Sequence, residues 1–525
     1  MTDETVQTKF IRWTRERPIF ALSEFQEGTS DSLEQERVLE VILPLLSDCG
    51  CEVVKGEGDL IVQWRRRPPC IPADAPSGRK VDPEIQTAIE AYIRTKTGKS
   101  WKDPLTLDRI REAIIGQKET YWKEGDDRVI RYKTAYSIFA YLAYQFPTYF
   151  IQMRHLIRGL MKDELLPGRM AVLDVGCGPG TVTLALHSLL SDMPGCQATI
   201  HTIEQAPEFI EAYRLIAEPF AGKDSACTIL PPHTLDITDP NSKLPEGPYD
   251  LIVCANVLNE IQDQNIREET VMRLSKHLRE DGTILICEPA DLTNATELRI
   301  LSRRLKERGL PIYAPCNDIR GVPCTVERCW SFVALPEVSP TRLMNAVAET
   351  DEPYRFHNTD IKASYAIHRR DSRSKIGYRV PPGAKAERIS RLPLHEGKKI
   401  NIIASKISGN IGDSGTFLYR ICDGTGKLEA YAALPAYHQS EKNTALRSAT
   451  YGSVLRLDRV LVRHHKKYNA FHLLLTKEST AELLGGGFEE GDTVRVREAR
   501  RETKRALNRR SAEGQKSKVG KQKKK

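Results

Sequence analysis

At 525 residues, with 40% apolar and 28% charged residues, the chain is too long for a single core and has the composition of a water-compatible protein of several domains. No run of eighteen apolar residues occurs, and the opening Met1-Thr2-Asp3-Glu4-Thr5 lacks an apolar signal segment, so no membrane partner and a cytoplasmic location are expected. The net charge of +8 is concentrated at one end: between Glu498 and Lys525 twelve Lys or Arg stand against three Glu, and the remainder is close to neutral. Residues 498–525 therefore read as a basic disordered tail suited to phosphate contacts. Twelve cysteines without an export signal argue for thiols rather than a disulfide framework.

In chain order, residues 1–67 read as two helices and a hairpin. Leu33, Val38, Val41, Ile42, Leu45 and Leu46 recur at helical spacing, and Cys51-Glu52-Val53-Val54 is joined through Lys55-Gly56-Glu57-Gly58 to Leu60-Ile61-Val62-Gln63-Trp64. The pattern suggests a winged-helix-like module ending in Arg65-Arg66-Arg67. A proline-rich linker over 68–83 follows, then a helical region over 84–165. Within it, Tyr132 to Tyr144 is apolar and aromatic around most of its circumference, which predicts burial in a core.

The next stretch organises the rest. Val172-Leu173-Asp174-Val175 is an apolar strand running into Gly176-Cys177-Gly178-Pro179-Gly180-Thr181 and then into a helix. Glycines at such a turn allow a ligand to approach backbone N–H groups at the helix start. Further strands are expected at Ala198–Ile203, ending in Glu204, at Tyr249–Asn256, and at Thr283–Pro289. Helices between them predict an α/β, doubly wound parallel sheet over 166–390, with ligands at the strands' carboxyl ends.

These residues resemble the class I methyltransferases that use S-adenosylmethionine. The resemblance rests on Leu173 to Thr181, Glu204, Leu235-Asp236-Ile237 and Tyr249-Asp250-Leu251-Ile252-Val253. It implies S-adenosylmethionine as cofactor, bound by Asp174, Gly176, Cys177, Gly178, Gly180, Glu204, Asp236 and Asn256. Glu204 would accept from the ribose hydroxyls, Asp236 from the adenine amino group, and Asp174 would help hold the cationic amino-acid end. Asn256, Asn259 and Glu260 are candidates for the substrate side, or an ordinary polar loop. Catalytic residues stay unassigned.

Downstream, Cys316, Cys324 and Cys329 lie in a proline-interrupted loop, Tyr313 to Trp330, that suggests a metal site or buried thiols. The stretch from Tyr132 to Leu457 also resembles the methyltransferase-like assembly proteins of the small ribosomal subunit, found in mitochondria and prokaryotes. Ala140-Tyr141-Leu142-Ala143 with Phe146-Pro147, Val257-Leu258-Asn259-Glu260, Glu288-Pro289, Ala314-Pro315-Cys316 and Pro323-Cys324 carry it. The resemblance implies a [4Fe–4S] cluster on Cys316, Cys324, Cys329 and Cys422, with the small ribosomal subunit and its rRNA as partners. The chain departs from that family in its cysteine gaps and at Asn317, where Pro is usual. Cys287 is a rival fourth ligand, and thiolates alone would also suit zinc.

Residues 391–497 read as strands, with Asp423-Gly424-Thr425-Gly426 as a tight turn, and resemble an OB-like β-barrel. Tyr419, Tyr431, Arg456 and Arg463-His464-His465-Lys466-Lys467 are its candidate RNA contacts. The function expected is therefore small-subunit assembly with rRNA binding; the alternatives are an active RNA or protein methyltransferase and an iron–sulfur redox sensor that binds RNA.

Overall fold

A computed structural model of the chain describes residues 3–28, 35–46, 49–56, 58–65, 78–121, 134–193, 195–222, 225–324 and 327–487. The basic tail and most of the 68–83 linker lie outside the described residues. The chain divides into two units: Met1–Cys316 with Glu327–Lys375, and Asn317–Val326 with Ile376–Lys525.

The first unit begins with helix α1 (Asp3–Glu16), strand β1 (Ile19–Ala21), helices α2 (Leu22–Gly28) and α3 (Gln35–Ile42), and strands β2 (Cys51–Lys55) and β3 (Leu60–Trp64). The hairpin gains a third strand, since β1 pairs with β3 to give the order β1-β3-β2. Three residues are too few for alternation to be read from sequence. Phe10 is buried edge-to-face against Phe20 and Phe25, which are tilted on each other, with centroids 5.6 to 6.2 Å apart, and the Trp64 indole donates to the Thr14 carbonyl at 2.6 Å. Their burial is continuous with Leu173, Ile252 and Ile286 of the large sheet, so residues 1–67 share its core instead of closing one of their own.

Four helices follow: α4 (Pro83–Thr97), α5 (Pro104–Tyr121), α6 (Ala135–Tyr144) and α7 (Phe146–Lys162). A capping box starts α6. The Thr134 hydroxyl accepts from the Ser137 N–H at 3.2 Å, and the Ser137 side chain faces the Thr134 N–H at 3.3 Å. Ile138, Phe139, Ala140, Leu142 and Ala143 are buried, as the apolar run predicts.

The sheet is built from β4 (Arg169–Val175), β5 (Gln197–Glu204), β6 (Cys227–Ile229), β7 (His233–Thr234), β8 (Tyr249–Ala255), β9 (Leu278–Pro289), β10 (Ile312–Ala314), β11 (Val333–Leu335) and β12 (Ile361–Arg369). Helices α8 (Thr181–Ser191), α9 (Pro207–Ile216), α10 (Gln264–Ser275) and α11 (Leu292–Glu307) form crossovers, and α12 (Arg342–Val347) precedes β12. The order is β10-β12-β9-β8-β4-β5-β6. Strands β6, β5, β4, β8 and β9 are parallel, and β12 is antiparallel to β9. Buried on both faces, β4 is apolar almost throughout, which is why it reads so clearly. From β4 the chain passes to β5 on one side and later to β8 on the other, so the strand order reverses there and a crevice opens at the carboxyl end of β4.

The second unit contains β13 (Lys399–Lys406), β14 (Thr416–Cys422), β15 (Glu429–Pro435), α13 (Ala445–Ser448), β16 (Val454–His465), β17 (Ala470–Leu474) and β18 (Thr480–Gly485). Pairing runs β13-β14-β15-β17-β16 and returns from β16 to β13, closing a five-stranded OB-like barrel. Ile402, Leu434, Leu455, Leu457, Val462 and Leu473 fill it. Strand β16 extends through Arg463-His464-His465, which sequence alone left as a charged run, and β18 is an added strand on β16.

Candidate functional site

A cavity of about 890 Å³ opens in the first unit, at the carboxyl ends of β4, β5 and β8. Its volume lies in the range of small-molecule sites. Among the residues expected at a cofactor, Gly176, Gly178, Glu204 and Asn256 line it; Asp174, Cys177, Gly180 and Asp236 do not.

The three glycines have different reasons to be glycine. All have positive φ: +68° at Gly176, +53° at Gly178 and +95° at Gly180. A Cβ on Gly176 would fall 2.6 Å from Val257 Cγ2, and one on Gly180 2.6 Å from Ala217 Cβ. A Cβ on Gly178 would meet nothing within 4 Å. Two glycines are thus demanded by packing, and only Gly178 leaves open space of the kind a ligand can use.

Glu204 holds the turn in place. Its Oε2 accepts from the Gly178 N–H at 2.9 Å, while Oε1 accepts from the N–H groups of Gln205 at 2.8 Å and Ala206 at 2.9 Å. Burial raises its carboxyl above the usual range, and these three hydrogen bonds oppose the rise. Asp174 is buried under the turn's strand. Its Oδ2 accepts from the Thr183 hydroxyl at 3.3 Å, its Oδ1 makes no hydrogen bond, and burial pushes its carboxyl up to about 7. Asn256 adopts φ +54°, lines the cavity, and carries a second buried side-chain oxygen without a hydrogen bond. A buried acceptor left unmade is costly, so Asn256, which lines the cavity, is poised for a donor, whereas Asp174 lies behind the lining. Asp236 instead caps its own turn, accepting from the Thr238 N–H at 2.8 Å and hydroxyl at 2.7 Å, while its neighbours Leu235 and Ile237 face the cavity. Cys177 is buried, its N–H donating to the Ile203 carbonyl at 3.0 Å.

The far wall carries Asn259 and Glu260, as the sequence suggests, together with residues it does not reveal: Tyr141, Tyr149, Phe209, Arg267 and Glu297. With its amide nitrogen turned toward Glu288, Asn259 donates to Glu288 Oε2 at 2.9 Å. Glu288 is buried, and burial holds its carboxyl well above the usual range despite the Arg267 charge. Glu260 is reached by water through the cavity, yet surrounding protein and the charge of Glu204 push its carboxyl up to about 7. Arg267 donates to Glu297 at 2.6 Å. Tyr141 lies on a helix that reads as uniformly apolar. Its hydroxyl, 3.0 Å from Thr181 Oγ1 at the start of α8, turns it toward the site.

The cysteines give a different result. Among the described residues, no three His, Cys, Asp or Glu are grouped closely enough to hold a metal ion. Cys316 and Cys329 belong to the first unit, Cys324 and Cys422 to the second. Cys316 Sγ stands 4.0 Å from Arg299 Nη1, and Cys422 Sγ accepts from the Gly424 N–H at 3.3 Å. The rival Cys287 is buried in β9, accepting from the Gln152 amide at 2.7 Å.

In the barrel, Tyr419 and Tyr431 are buried at 5% and 8% exposure, which removes both from base stacking. Arg456 is paired with Asp458 at 2.9 Å. The exposed rings are Tyr468, stacked on His465 at 4.8 Å, and Tyr437.

Residues 173–284 match the family described as a methyltransferase domain. Within the first unit, this stretch is similar to a methyltransferase domain. The fold of the first unit is methyltransferase-like α/β, and Gly176, Gly178, Glu204 and Asn256 line its cavity. Residues 390–484 match the C-terminal domain of a family described only as a domain of unknown function (DUF8157). Similar solved structures include an S-adenosylmethionine-dependent methyltransferase from Clostridium acetobutylicum, 18% identical over 32% of this chain and 62% of that one, TM-score 0.23. Another is the N-methyltransferase NodS from Bradyrhizobium japonicum in complex with S-adenosyl-l-homocysteine, 14% identical over 49% of this chain and 97% of that one, TM-score 0.27. The match spans roughly half to two-thirds of the first such structures. A search of curated proteins gave no match. Among the described residues no helix is long and apolar enough to cross a membrane.

Proposed function

We propose that the chain holds S-adenosylmethionine at the β4 turn, binds ribosomal RNA, and acts in assembly of the small ribosomal subunit. The observation that carries the first part is the cavity at the switch of strand order, where Gly178 faces open space beside Glu204 and Asn256. The ribosomal part is supported by the motif resemblance running from Tyr132 to Leu457, the OB-like barrel and the basic tail.

Bound there, the cofactor would supply a methyl group on an electrophilic sulfonium sulfur. The chain's own residues do the positioning. Glu204 fixes the turn through three backbone hydrogen bonds, and the aromatic edges of Tyr141, Tyr149 and Phe209 reduce access of water. Glu260, an exposed carboxylate lining the cavity and, among the described residues, not engaged in an ion pair as Glu297 is with Arg267, is placed to take a proton from an incoming nucleophile. That feature favours a second reading, an active RNA or protein methyltransferase.

Calorimetric titration with S-adenosylhomocysteine tests the pocket: binding is expected for the native chain and loss of binding for Gly178→Val. Absence of binding by the native chain overturns the reading. Labelled-methyl transfer to precursor small-subunit particles, abolished by Asp174→Ala, would favour the enzyme, whereas assembly that survives the change would favour a scaffold. The cluster on Cys316, Cys324, Cys329 and Cys422 is an expectation of the resemblance alone. Iron and sulfide analysis after anaerobic purification decides it, and a colourless, iron-free protein rejects it.

A further inference from the structure

The second unit holds a cavity that methyl transfer does not use. The segment from Val380 to Arg388, the short helical turn Ile389–His395, the start of β13 and Arg320 enclose about 780 Å³. Arg320, Lys385, Arg388, Arg391, Lys398 and Lys399 line it against a single carboxylate, Glu387. That carboxylate is already engaged, lying 3.3 Å from His395 Nε2 and 3.9 Å from Arg391. Lys385 and Arg388 are exposed and make no ion pair among the described residues.

Arg320 differs from the rest. Its side chain is only 7% exposed. One nitrogen donates to the Glu387 carbonyl at 2.7 Å, and Nε lies 3.4 Å from Asp423 without making a hydrogen bond. Asp423 is itself fully buried, accepting from the N–H groups of Ile389 at 3.1 Å and Thr425 at 3.0 Å. A buried counter-charge thus fixes one cation of the lining, while the others reach it from exposed positions. Concave walls of one sign concentrate the field, and six cations spread over one cavity suit an extended polyanion better than a single compact ion. The lining offers no Phe, Tyr or Trp, so recognition rests on charge and not on base stacking.

We propose that this cleft binds the phosphodiester chain of a single-stranded RNA, the choice of RNA among polyanions resting on the ribosomal reading above. The test uses the full chain and a fluorescein-labelled oligouridylate of about 20 nucleotides, followed by anisotropy between roughly 50 and 200 mM salt. The triple variant Lys385→Ala, Arg388→Ala, Arg391→Ala is expected to weaken binding about tenfold and to lower the slope of log affinity against log salt by about 2, at roughly 0.7 per lost contact on a single strand. An unchanged thermal midpoint shows that the variant is folded. Tight binding by the native chain with an unaltered slope in the variant overturns the cleft and leaves RNA binding standing. No binding by the native chain overturns the RNA reading and the cleft's ligand together. Displacement of the oligomer by polyglutamate or pyrophosphate at equal charge overturns the phosphodiester assignment in favour of a general anion site.

Discussion

The two cavities are similar in volume, about 890 and 780 Å³, and opposite in chemistry. In the first unit, carboxylates and backbone N–H groups are set into a sheet that is buried on both faces. In the second, Lys and Arg stand on an exposed loop and the first residues of a barrel strand. The first site is shaped by backbone that few residues can replace. The second is shaped, apart from the buried Arg320, by exposed side chains whose removal the fold should barely register. That contrast separates a pocket demanding geometry from one demanding charge.

The largest expected effect tests the backbone side of the contrast. Gly180→Ala places a Cβ at φ +95° and 2.6 Å from Ala217 Cβ. Left-handed strain of roughly 1–2 kcal/mol and overpacking of about 1–3 kcal/mol should together lower stability by about 2–5 kcal/mol in denaturant unfolding. Gly178→Ala meets no neighbour and should cost only about 1 kcal/mol while weakening S-adenosylhomocysteine binding. Equal losses from the two substitutions would mean that the open space at Gly178 is not a ligand's.

Next in size is Glu204→Gln. The amide keeps one acceptor oxygen but turns a donor toward N–H groups now satisfied by the carboxylate. A loss of about 1–3 kcal/mol and at least tenfold weaker cofactor binding are expected, measured by unfolding and calorimetry. Wild-type affinity in the variant would show that the turn keeps its shape without the carboxylate.

Protonation gives a third test. Burial pushes Asp174 up to about 7 from its ordinary 3.8. Between these values the folded chain retains a proton that the unfolded chain has released. The group's contribution to stability is therefore full below pH about 4, falls as pH rises through the window, and levels off above about 7, with a slope of at most about 1.4 kcal/mol per pH unit. Asp174→Asn removes this titration, so stability should shift in the variant's favour from pH about 4 to 7. A difference between the two proteins that is independent of pH rejects the elevated value.

How much of this was legible in the sequence follows the same division. The apolar β4 and its glycine turn announce themselves because burial on both faces leaves the run Met170 to Val175 broken only by Asp174. Glu204 could be found from the strand end it terminates. Tyr141 could not, because every residue of α6 but Ser137 is apolar or aromatic and only the Thr181 hydroxyl across the fold selects the ring that faces the site. Arg267 and Glu297 meet from α10 and α11 with thirty residues between them, leaving no local signal. In the barrel, aromatic type suggested stacking at Tyr419 and Tyr431, but Tyr419 faces the core beside Ala432, and Tyr431, on the opposite face, is covered by Arg420 and His472. The basic cleft was missed because its cations are spaced irregularly through a loop, and the buried Arg320 comes from a separate segment of the chain. Cysteine spacing cannot be read the same way, since the four thiols are divided between the two units and, among the described residues, no three His, Cys, Asp or Glu are grouped closely enough to hold a metal ion.

The smallest effect probes the charge side of the contrast. Arg388 and Lys385 are exposed, without ion pairs among the described residues, and share one cavity with four other cations. Like charges held within about a Debye length repel, and that repulsion is stronger at low ionic strength. Lys385→Ala with Arg388→Ala should therefore leave stability unchanged at high salt and raise it by a few tenths of a kcal/mol at low salt, within the roughly ±0.5 kcal/mol expected of surface substitutions. Unfolding midpoints of the two proteins, compared at low and high salt, measure the difference directly. If the variant is less stable at both, the two side chains are part of the fold's packing, and the distinction between a site held by backbone and a site held by charge fails at this cleft.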